Sequence, residues 1–342
     1  MLSGKHLLLA TLQPFKGYPV DSLSTLLKKY GLRPRKELGQ NFLADPVHLA
    51  KIVDIAGLTP SDTVLEIGPG PGTLTRLLAE QAGRVIAVEL DPHMVTLLKS
   101  EYGHLKNLIV VEADILQTDL SSLIRSAEGA EELPIINSQW STIKDQRSIS
   151  GPPLLTPTSS SLTYKVVANL PYYITSAVIR HLLEATPQPK RVVVTVQKEV
   201  AQRMVAKPGQ MSLLAVSVQF YGQPTLAHHI PAGAFYPAPK VDSAVVRIDT
   251  FAQPVVAVAD TNHFFRVIKA GFGQKRKQLK NSLAAGLARP IPAVVEALTR
   301  ANIDPIRRAE TLSLEEWSRL AEVLRSPSSP DDEQNQGISH ST

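Results

Sequence analysis

Two kinds of hydrophobic pattern alternate along the first three quarters of the chain. Short apolar runs, rich in β-branched residues, predict strands at residues 63–67, 85–88, 108–111, 164–168 and 192–196. Apolar positions three or four residues apart predict helices at residues 73–80, 92–100, 177–185 and 199–206. Two later runs, at residues 213–220 and 245–248, also predict strands. This order indicates an α/β fold, a parallel sheet with crossover helices.

The pattern becomes purely helical near residue 262. Phe264, Phe265, Ile268 and Phe272 are spaced as on one helix face, and residues 312–324 repeat that spacing. We therefore predict a main domain at residues 30–255 and a small all-helical domain at residues 256–325. Residues 1–29 form an N-terminal extension in this interpretation, and the polar tail at residues 326–342 is expected to be disordered.

One stretch inside the main domain has no period of either kind. Residues 121–163 are rich in Ser, Pro, Thr and Gly. Because long structureless segments are unusual within a compact domain, we predict a flexible surface insertion there.

Composition excludes several chemistries. The chain has 342 residues, a net charge of +5 and no cysteine, so it has no disulfide, no cysteine-ligated zinc and no thiolate nucleophile. We expect no metal site. No stretch approaches the ~18 apolar residues of a membrane span, and we expect a cytoplasmic monomer without a membrane partner. Residues 1–20 contain Lys5 and Lys16 but no acid, so a targeting segment remains the alternative.

A glycine-rich segment follows the first predicted strand. Glu66 precedes Gly68, Gly70 and Gly72 at a strand-to-helix turn, where glycines let the backbone approach a ligand. The segment predicts a nucleotide-like cofactor. Its spacing departs from the dinucleotide fingerprint, because the third glycine of that motif would fall at Thr73.

Two acids follow the next two strands. Glu89 is positioned to accept the hydroxyls of a ribose, and Asp114 could accept an adenine amino group. Solvated carboxylates at strand ends are the alternative interpretation for each acid.

The residues after the fourth strand suggest a reaction. Asn169, Leu170, Pro171 and Tyr172 form a short polar and aromatic turn. The Asn169 carbonyl and a nearby backbone carbonyl could accept both N–H bonds of an adenine N6, whose lone pair then faces a methyl donor. Tyr172 could stack on the base. An ordinary turn with a buried aromatic is the alternative.

With these motifs the sequence resembles the ribosomal small-subunit adenine dimethyltransferases, a family related to large-subunit adenine methylases and mitochondrial transcription-factor homologues. The resemblance spans roughly residues 30–319 and rests on five blocks, at residues 38–43, 66–72, 169–172, 230–245 and 308–313. It implies a Rossmann-like methyltransferase sheet with S-adenosylmethionine as the cofactor. The segment at residues 121–163 is longer than we expect for the family.

The resemblance also implies roles for particular residues. Asn41 and Leu43 would contact the methionine end of the cofactor, and Phe235 would sandwich the target base against Tyr172. The full implied cofactor set is Gln40, Asn41, Leu43, Glu66, Gly68, Gly70, Glu89, Leu90, Asp114, Ile115 and Asn169. A packing role is the alternative for Phe235.

The implied reaction is dimethylation at N6 of two adjacent adenosines in a hairpin loop near the 3′ end of 16S rRNA, within the pre-30S subunit. Basic clusters agree with an RNA partner, since Lys and Arg contact phosphates. The candidate RNA-binding residues are Arg35, Lys36, Lys275, Arg276, Lys277 and Lys280. Two alternatives stay open: an RNA-binding protein whose turnover is incidental, and an NAD-dependent oxidoreductase.

Overall fold

A computed structural model of the protein describes residues 20–128 and 163–325, which form two compact units. The first contains the described residues up to Ala201 together with Pro224–Thr250, and the second contains Gln202–Gln223 and the described residues from Phe251 onward. Residues 202–223, assigned to the main domain from the sequence, therefore belong with the helices.

The first unit is built on a seven-stranded sheet. Its helices are α1 (Val20–Lys29), α2 (Pro46–Ala56), α3 (Thr75–Gln81), α4 (Pro92–Tyr102), α5 (Leu120–Glu128) and α6 (Thr175–Leu183), and α7 (Lys198–Met204) begins in this unit and ends in the second. Its strands are β1 (Phe42–Leu43), β2 (Thr63–Ile67), β3 (Arg84–Glu89), β4 (Leu108–Glu112), β5 (Tyr164–Asn169), β6 (Arg191–Gln197), β7 (Gly222–Ile230), β8 (Phe235–Tyr236) and β9 (Ser243–Thr250). The predicted α/β class is confirmed.

The strand order is β4-β3-β2-β5-β6-β9-β7. Strands β4 to β6 are parallel, and β9 pairs antiparallel with β6. From β2 the chain adds β3 and then β4 on one side of the sheet. It then returns to the other side of β2 and adds β5 and β6 in the opposite direction, so the strand order reverses between β2 and β5. Ligands of open α/β sheets bind outside the carboxyl ends of the strands at such a point. In that register Ile67 lies beside both Val88 and Ala168, which brings three strand ends together.

Local signals fix the helix starts near this edge. Asp45 Oδ1 accepts hydrogen bonds from the backbone N–H groups of Val47 and His48 at 2.8 and 3.3 Å, and proline begins α2. Asp91 Oδ1 accepts from the N–H of His93 at 3.1 Å at the start of α4. A side-chain acceptor followed by proline is a strong helix-start signal.

The second unit contains α8 (Leu213–Tyr221), α9 (Thr261–Phe272), α10 (Leu279–Leu287), α11 (Ile291–Arg300) and α12 (Leu314–Arg325). Its core includes Phe220 and Phe264, stacked with ring centroids 4.9 Å apart, and the fully buried Trp317. Helices α9 and α10 cross closely, because a Cβ on Gly286 would lie 2.5 Å from the Ala270 Cβ. None of the helices in the part of the chain described here is long and apolar enough to cross a membrane.

The strand prediction at residues 213–220 is wrong. The segment is helix α8, and the Ser212 hydroxyl accepts a hydrogen bond from the N–H of Ala215 at 3.2 Å to cap it. A short continuous apolar run does not distinguish a buried helix from a buried strand. The sequence interpretation also missed β7, which follows immediately, because that strand alternates weakly between buried and exposed positions.

The predicted limits of the extension and the insertion also change. Helix α1 lies inside the predicted extension and buries Leu23 and Leu27. Helix α5 occupies the first eight residues of the predicted insertion and buries Leu120, Leu123, Ile124 and Ala127, a spacing that indicates an amphipathic helix. The remainder of both predictions, residues 1–19 and 129–162, and the predicted disordered tail at residues 326–342 lie outside the described residues.

Candidate active site

The glycine-rich loop leaves β2 and opens a pocket at the carboxyl edge of the sheet. Gly68, Gly70 and Gly72 have φ angles of +65°, +56° and +83°. Residues other than glycine rarely adopt this backbone conformation. A Cβ on Gly70 would lie 2.6 Å from Phe42 Cε1. The loop therefore needs glycine for its conformation and for the close approach of the Phe42 ring.

Acids from β3 and β4 line the same pocket. Glu89 is 7% exposed and accepts hydrogen bonds from the N–H groups of Gly70, Leu90 and Asp91 at 2.9–3.0 Å. Burial raises the pKa of the Glu89 carboxyl, against the opposing effect of these donors. Asp114 accepts from the Leu116 N–H and Gln117 Nε2, each at 3.0 Å. Both carboxylates are thus held in place with acceptor capacity left for a ligand.

Apolar surfaces lie beside these acids. Leu90 follows Glu89 and is 50% exposed, while Ile115 follows Asp114 and is buried, and both line the pocket. Two aliphatic side chains next to acceptors for hydroxyl and amino groups suit a nucleoside.

The segment before α2 forms another wall. Gln40 accepts from the Arg35 N–H at 2.8 Å and donates through Nε2 to Asp91 at 3.1 Å. Asn41 Nδ2 donates to the Gly39 carbonyl at 3.1 Å. These bonds fix an irregular segment against the sheet, and Gln40 and Asn41 line the pocket as predicted.

Asn169 ends β5 with its side chain oriented by this segment. Its Nδ2 donates to the Asn41 carbonyl at 3.0 Å. Because a carbonyl only accepts, the NH₂ group must face Asn41, which settles the orientation of the amide. Oδ1 is left without a partner among the described residues, at the pocket wall.

Tyr172 lies three residues later and lines the same pocket. Its hydroxyl is 2.8 Å from the hydroxyl of the fully buried Ser243. Burial raises the pKa of Tyr172, so the phenol stays neutral at physiological pH. The Tyr172 ring is half-buried, and its hydroxyl is fixed by the contact with Ser243. Leu170 and Pro171 line the pocket beside it.

Glu66 is a buried carboxyl beneath the glycine loop. It is 1% exposed, and its Oε2 and the hydroxyl of the adjacent Thr75 have no hydrogen-bond partner among the described residues. Burial raises the pKa of Glu66 to about 8. Glu66 and Leu43 line a small cavity that shares Phe42, Gly68 and Asn169 with the main pocket.

Glu66 should make stability depend on pH. The folded carboxyl keeps its proton to about pH 8, whereas the ordinary glutamate pKa of 4.5 applies when the side chain is solvent-exposed. The folded state therefore binds more protons between these values, and the unfolding free energy falls as pH rises, by at most about 1.4 kcal/mol per pH unit. We expect Glu66→Gln to lose this slope in urea unfolding between pH 5 and 8. Glu112→Gln, at the end of β4, should track the parent protein, and parallel profiles for Glu66→Gln and the parent would contradict the assignment.

The structure does not bring every predicted residue to the main pocket. Phe235 is 4% exposed and packs in an aliphatic cluster with Leu43 and Leu49, so it presents no face to a base in this conformation. Its pairing with Leu43 in the β1–β8 ladder explains the burial. The sequence interpretation missed other wall residues, which reach the pocket only through folding: Leu38, Gly39, Phe42, Ile67, Val88, Ala113, Tyr173 and Ile174.

The predicted RNA-binding residues fall in both units. Arg35 and Lys36 are exposed in the first, where Arg35 pairs with Glu37 at 3.0 Å and lies 3.7 Å from Asp91. Lys275, Arg276 and Lys277 are exposed between α9 and α10, and Lys280 is half-buried on α10. These four make no ion pair with any residue described in the structure.

The charges of the pocket select among cofactors. Its described wall contains two acids, Glu89 and Asp114, and no Lys or Arg. S-adenosylmethionine has a net positive charge, whereas NAD has an anionic pyrophosphate, so the wall favours the former. Thr73 donates to the Leu43 carbonyl at 3.0 Å where a dinucleotide motif has its third glycine. In residues 20–128 and 163–325 no group of three or more His, Asp or Glu side chains could hold a metal.

Fold and pocket together define a Rossmann-like methyltransferase that uses S-adenosylmethionine. The model of the ribosomal RNA adenine dimethylase family matches residues 31–326, and the chain belongs to this family. The chain is therefore an S-adenosylmethionine-dependent rRNA adenine dimethyltransferase, as the sequence resemblance implied.

Named relatives agree over nearly their whole length. A "Ribosomal RNA small subunit methyltransferase A" of Dehalococcoides mccartyi is 43% identical over 298 residues, covering 87% of this chain and 91% of the relative. The protein of the same name from Moorella thermoacetica is 39% identical, covering 90% and 100%. Among solved structures, the 23S rRNA methyltransferase ErmE has a TM-score of 0.58 at 27% identity, covering 84% of this chain and all of that one. A dimethyladenosine transferase from Plasmodium falciparum shares the fold at 24% identity, with a TM-score of 0.61 and coverages of 82% and 95%.

Proposed function

We propose that this enzyme dimethylates two adjacent adenosines in a hairpin loop near the 3′ end of 16S rRNA, within the pre-30S subunit. The observation that supports it most is the Asn169 amide, anchored through Nδ2 to Asn41 with Oδ1 available at the pocket wall. A fixed acceptor there suits an adenine amino group.

The pocket residues fit S-adenosylmethionine along its length. Glu89 would accept the ribose hydroxyls, and Asp114 the adenine amino group, between Leu90 and Ile115. The unpartnered Oε2 of Glu66 would accept a hydrogen bond at the methionine end, near Asn41 and Leu43. Gly68 and Gly70 line the pocket without a side chain that would fill it.

When bound, the cofactor supplies a methyl group activated by positively charged sulfur. Asn169 Oδ1 and the Leu170 carbonyl would accept the two N6–H bonds and orient the nitrogen lone pair. The Pro171 carbonyl is already engaged by the Ile174 N–H and the Thr175 hydroxyl at 3.3 and 3.2 Å, so it does not compete. With the lone pair held in this way, N6 would take the methyl group as a neutral thioether departs, and the N6 proton would pass to solvent. Tyr172 would hold the base by stacking, worth ~1–3 kcal/mol.

The small subunit is favoured over the large one by the relatives. Proteins 39–43% identical over most of their length are named for the small subunit, while the 23S enzyme is 27% identical. Mass spectrometry of rRNA nucleosides tests this. We expect S-adenosylmethionine-dependent N6,N6-dimethyladenosine in 16S rRNA of under-methylated small subunits incubated with the protein, and modification of 23S rRNA alone would overturn the proposal.

We propose that the basic segment at Lys275, Arg276 and Lys277, with Lys280, binds RNA phosphates, and that Arg35 and Lys36 do so on the first unit. Changing Lys275, Arg276 and Lys277 to Gln should weaken rRNA binding and reduce the slope of log K against log[salt] by about 2, since each single-strand phosphate contact contributes roughly 0.7. Filter binding across a salt series measures this.

A matched control removes three scattered exposed charges from Lys106, Lys190 and Lys207. It changes net charge equally, so its salt slope should stay near that of the parent protein. Equal slopes for the two triple variants would contradict a phosphate role for the segment.

A purely RNA-binding role is disfavoured because the pocket keeps both acids, the glycine loop and the oriented Asn169 amide. Rescue of an enzyme-deficient strain by a catalytically dead variant would support that alternative. Since the rRNA substrate is found there, we place the enzyme in the cytoplasm, acting as a monomer.

A further inference from the structure

Tyr173 is an aromatic residue that the chemistry above does not use. Its side chain is 62% exposed, the most exposed among the large hydrophobic and aromatic side chains of the described residues apart from Val47. It nevertheless lines the same pocket as Asn169 and Tyr172. A flat aromatic face exposed at the mouth of this pocket is available for a base to stack on.

The ring of Tyr173 is positioned by a glycine. Gly39 has a φ of +62°, and a Cβ on Gly39 would lie 3.2 and 3.3 Å from Tyr173 Cδ1 and Cε1. The Tyr173 hydroxyl forms no hydrogen bond with any residue that the structure describes. One side of the ring is therefore supported by backbone, and the rest is open.

The two consecutive tyrosines differ in orientation and anchoring. The Tyr172 hydroxyl is anchored to buried Ser243 at 2.8 Å, whereas Tyr173 packs on the segment that contains Arg35 and Lys36. The Gly39 N–H donates to the Lys36 carbonyl at 3.0 Å, so the ring lies against the same turn that contains the exposed Arg35 and Lys36. Aromatic faces beside basic groups are the usual means of holding single-stranded nucleic acid.

We propose that Tyr173 is a stacking platform for the nucleotide next to the target adenosine. Drawing the target base into the pocket leaves its neighbour with one unstacked face, a loss of a few kcal/mol. Tyr173 would replace that lost stack at the pocket mouth and so position the substrate loop. This role rests on the proposed function, because it requires an unpaired RNA loop with adjacent bases.

The test compares substitutions that separate stacking from packing. Tyr173→Ala should raise KM for under-methylated small subunits roughly 5- to 150-fold, the range expected for one stacked base, with little change in kcat or in the Kd for S-adenosylmethionine. Tyr173→Phe should recover most of that loss. Tyr173→Leu still fills the space against Gly39 without a flat aromatic face, so it should resemble Tyr173→Ala.

Leu226→Ala is the matched control, since Leu226 is 48% exposed on β7 and is not among the pocket residues. A hairpin RNA with 2-aminopurine beside the target adenosine gives a direct readout, because stacking on Tyr173 quenches its fluorescence. Retained quenching and KM in Tyr173→Leu would overturn the proposal in favour of packing alone. If the parent enzyme fails to methylate small subunits, the proposed function fails; if it methylates them and Tyr173→Ala keeps its KM, only the platform fails.

Discussion

Asn169→Ala should reduce kcat for adenosine methylation by at least about 10³-fold while the Kd for S-adenosylmethionine stays within a few-fold of the parent value. The substitution removes the only side-chain acceptor positioned for N6 in the described pocket and frees the Asn41 carbonyl. Losing one preorganised polar contact to a reacting group commonly costs 10²–10³-fold, and losing orientation adds to that. Single-turnover kinetics on under-methylated small subunits, with calorimetric titration of the cofactor, measures both quantities.

The control for Asn169→Ala is a second half-buried asparagine. Asn107 Nδ2 donates to the Ala79 and Ala82 carbonyls at 2.8 and 3.0 Å, away from the pocket walls. Asn107→Ala should lose comparable stability and keep kcat. Turnover by Asn169→Ala at the rate of Asn107→Ala would remove Asn169 from the mechanism.

The sequence predicted the part of the site that lies at strand ends. Glu89, Asp114 and Asn169 each lie at or just after the end of an apolar strand, and parallel strands bring their carboxyl ends to one edge. Chain order and strand pattern were therefore enough to predict that these side chains meet. The sheet confirms this with five parallel strands in register.

Other parts depend on contacts that no local pattern encodes. The Asn169–Asn41 hydrogen bond joins residues 128 positions apart, and the segment that contains Asn41 has neither helical nor strand periodicity. The motif that contains Phe235 predicts that its ring stacks on the target base, yet the β1–β8 pairing buries the ring. Helix α8 was predicted as a strand because a continuous apolar run shows neither the helical nor the strand periodicity that would distinguish the two.

The N-terminal segment and the glycine loop act as one structural unit. Phe42 lies against Gly70 on one side, and β1 pairs with β8 on the other. Thr73 ties the loop back to the Leu43 carbonyl at 3.0 Å. A change that displaces Phe42 therefore moves the wall that orients Asn169, so cofactor binding and base orientation share one set of contacts.

Gly70→Ala should test this coupling with a large effect. The new Cβ would lie 2.6 Å from Phe42 Cε1 at a φ of +56°, so the ring must move and the backbone is strained by roughly 1–2 kcal/mol. We expect the Kd for S-adenosylmethionine to rise at least about 100-fold, equivalent to ~2.7 kcal/mol. Calorimetric titration and the shift in Tm on adding cofactor measure the loss.

Gly31→Ala separates the clash from the strain. Gly31 has a φ of +66°, and a Cβ there would meet nothing within 4 Å, so the variant has similar backbone strain without contact to the pocket. It should lose stability yet bind cofactor like the parent. Because only Gly70 places its missing Cβ against Phe42, equal cofactor affinity in the two variants would show that the loop tolerates a side chain, and the proposed close packing of loop, Phe42 and Asn169 would be wrong.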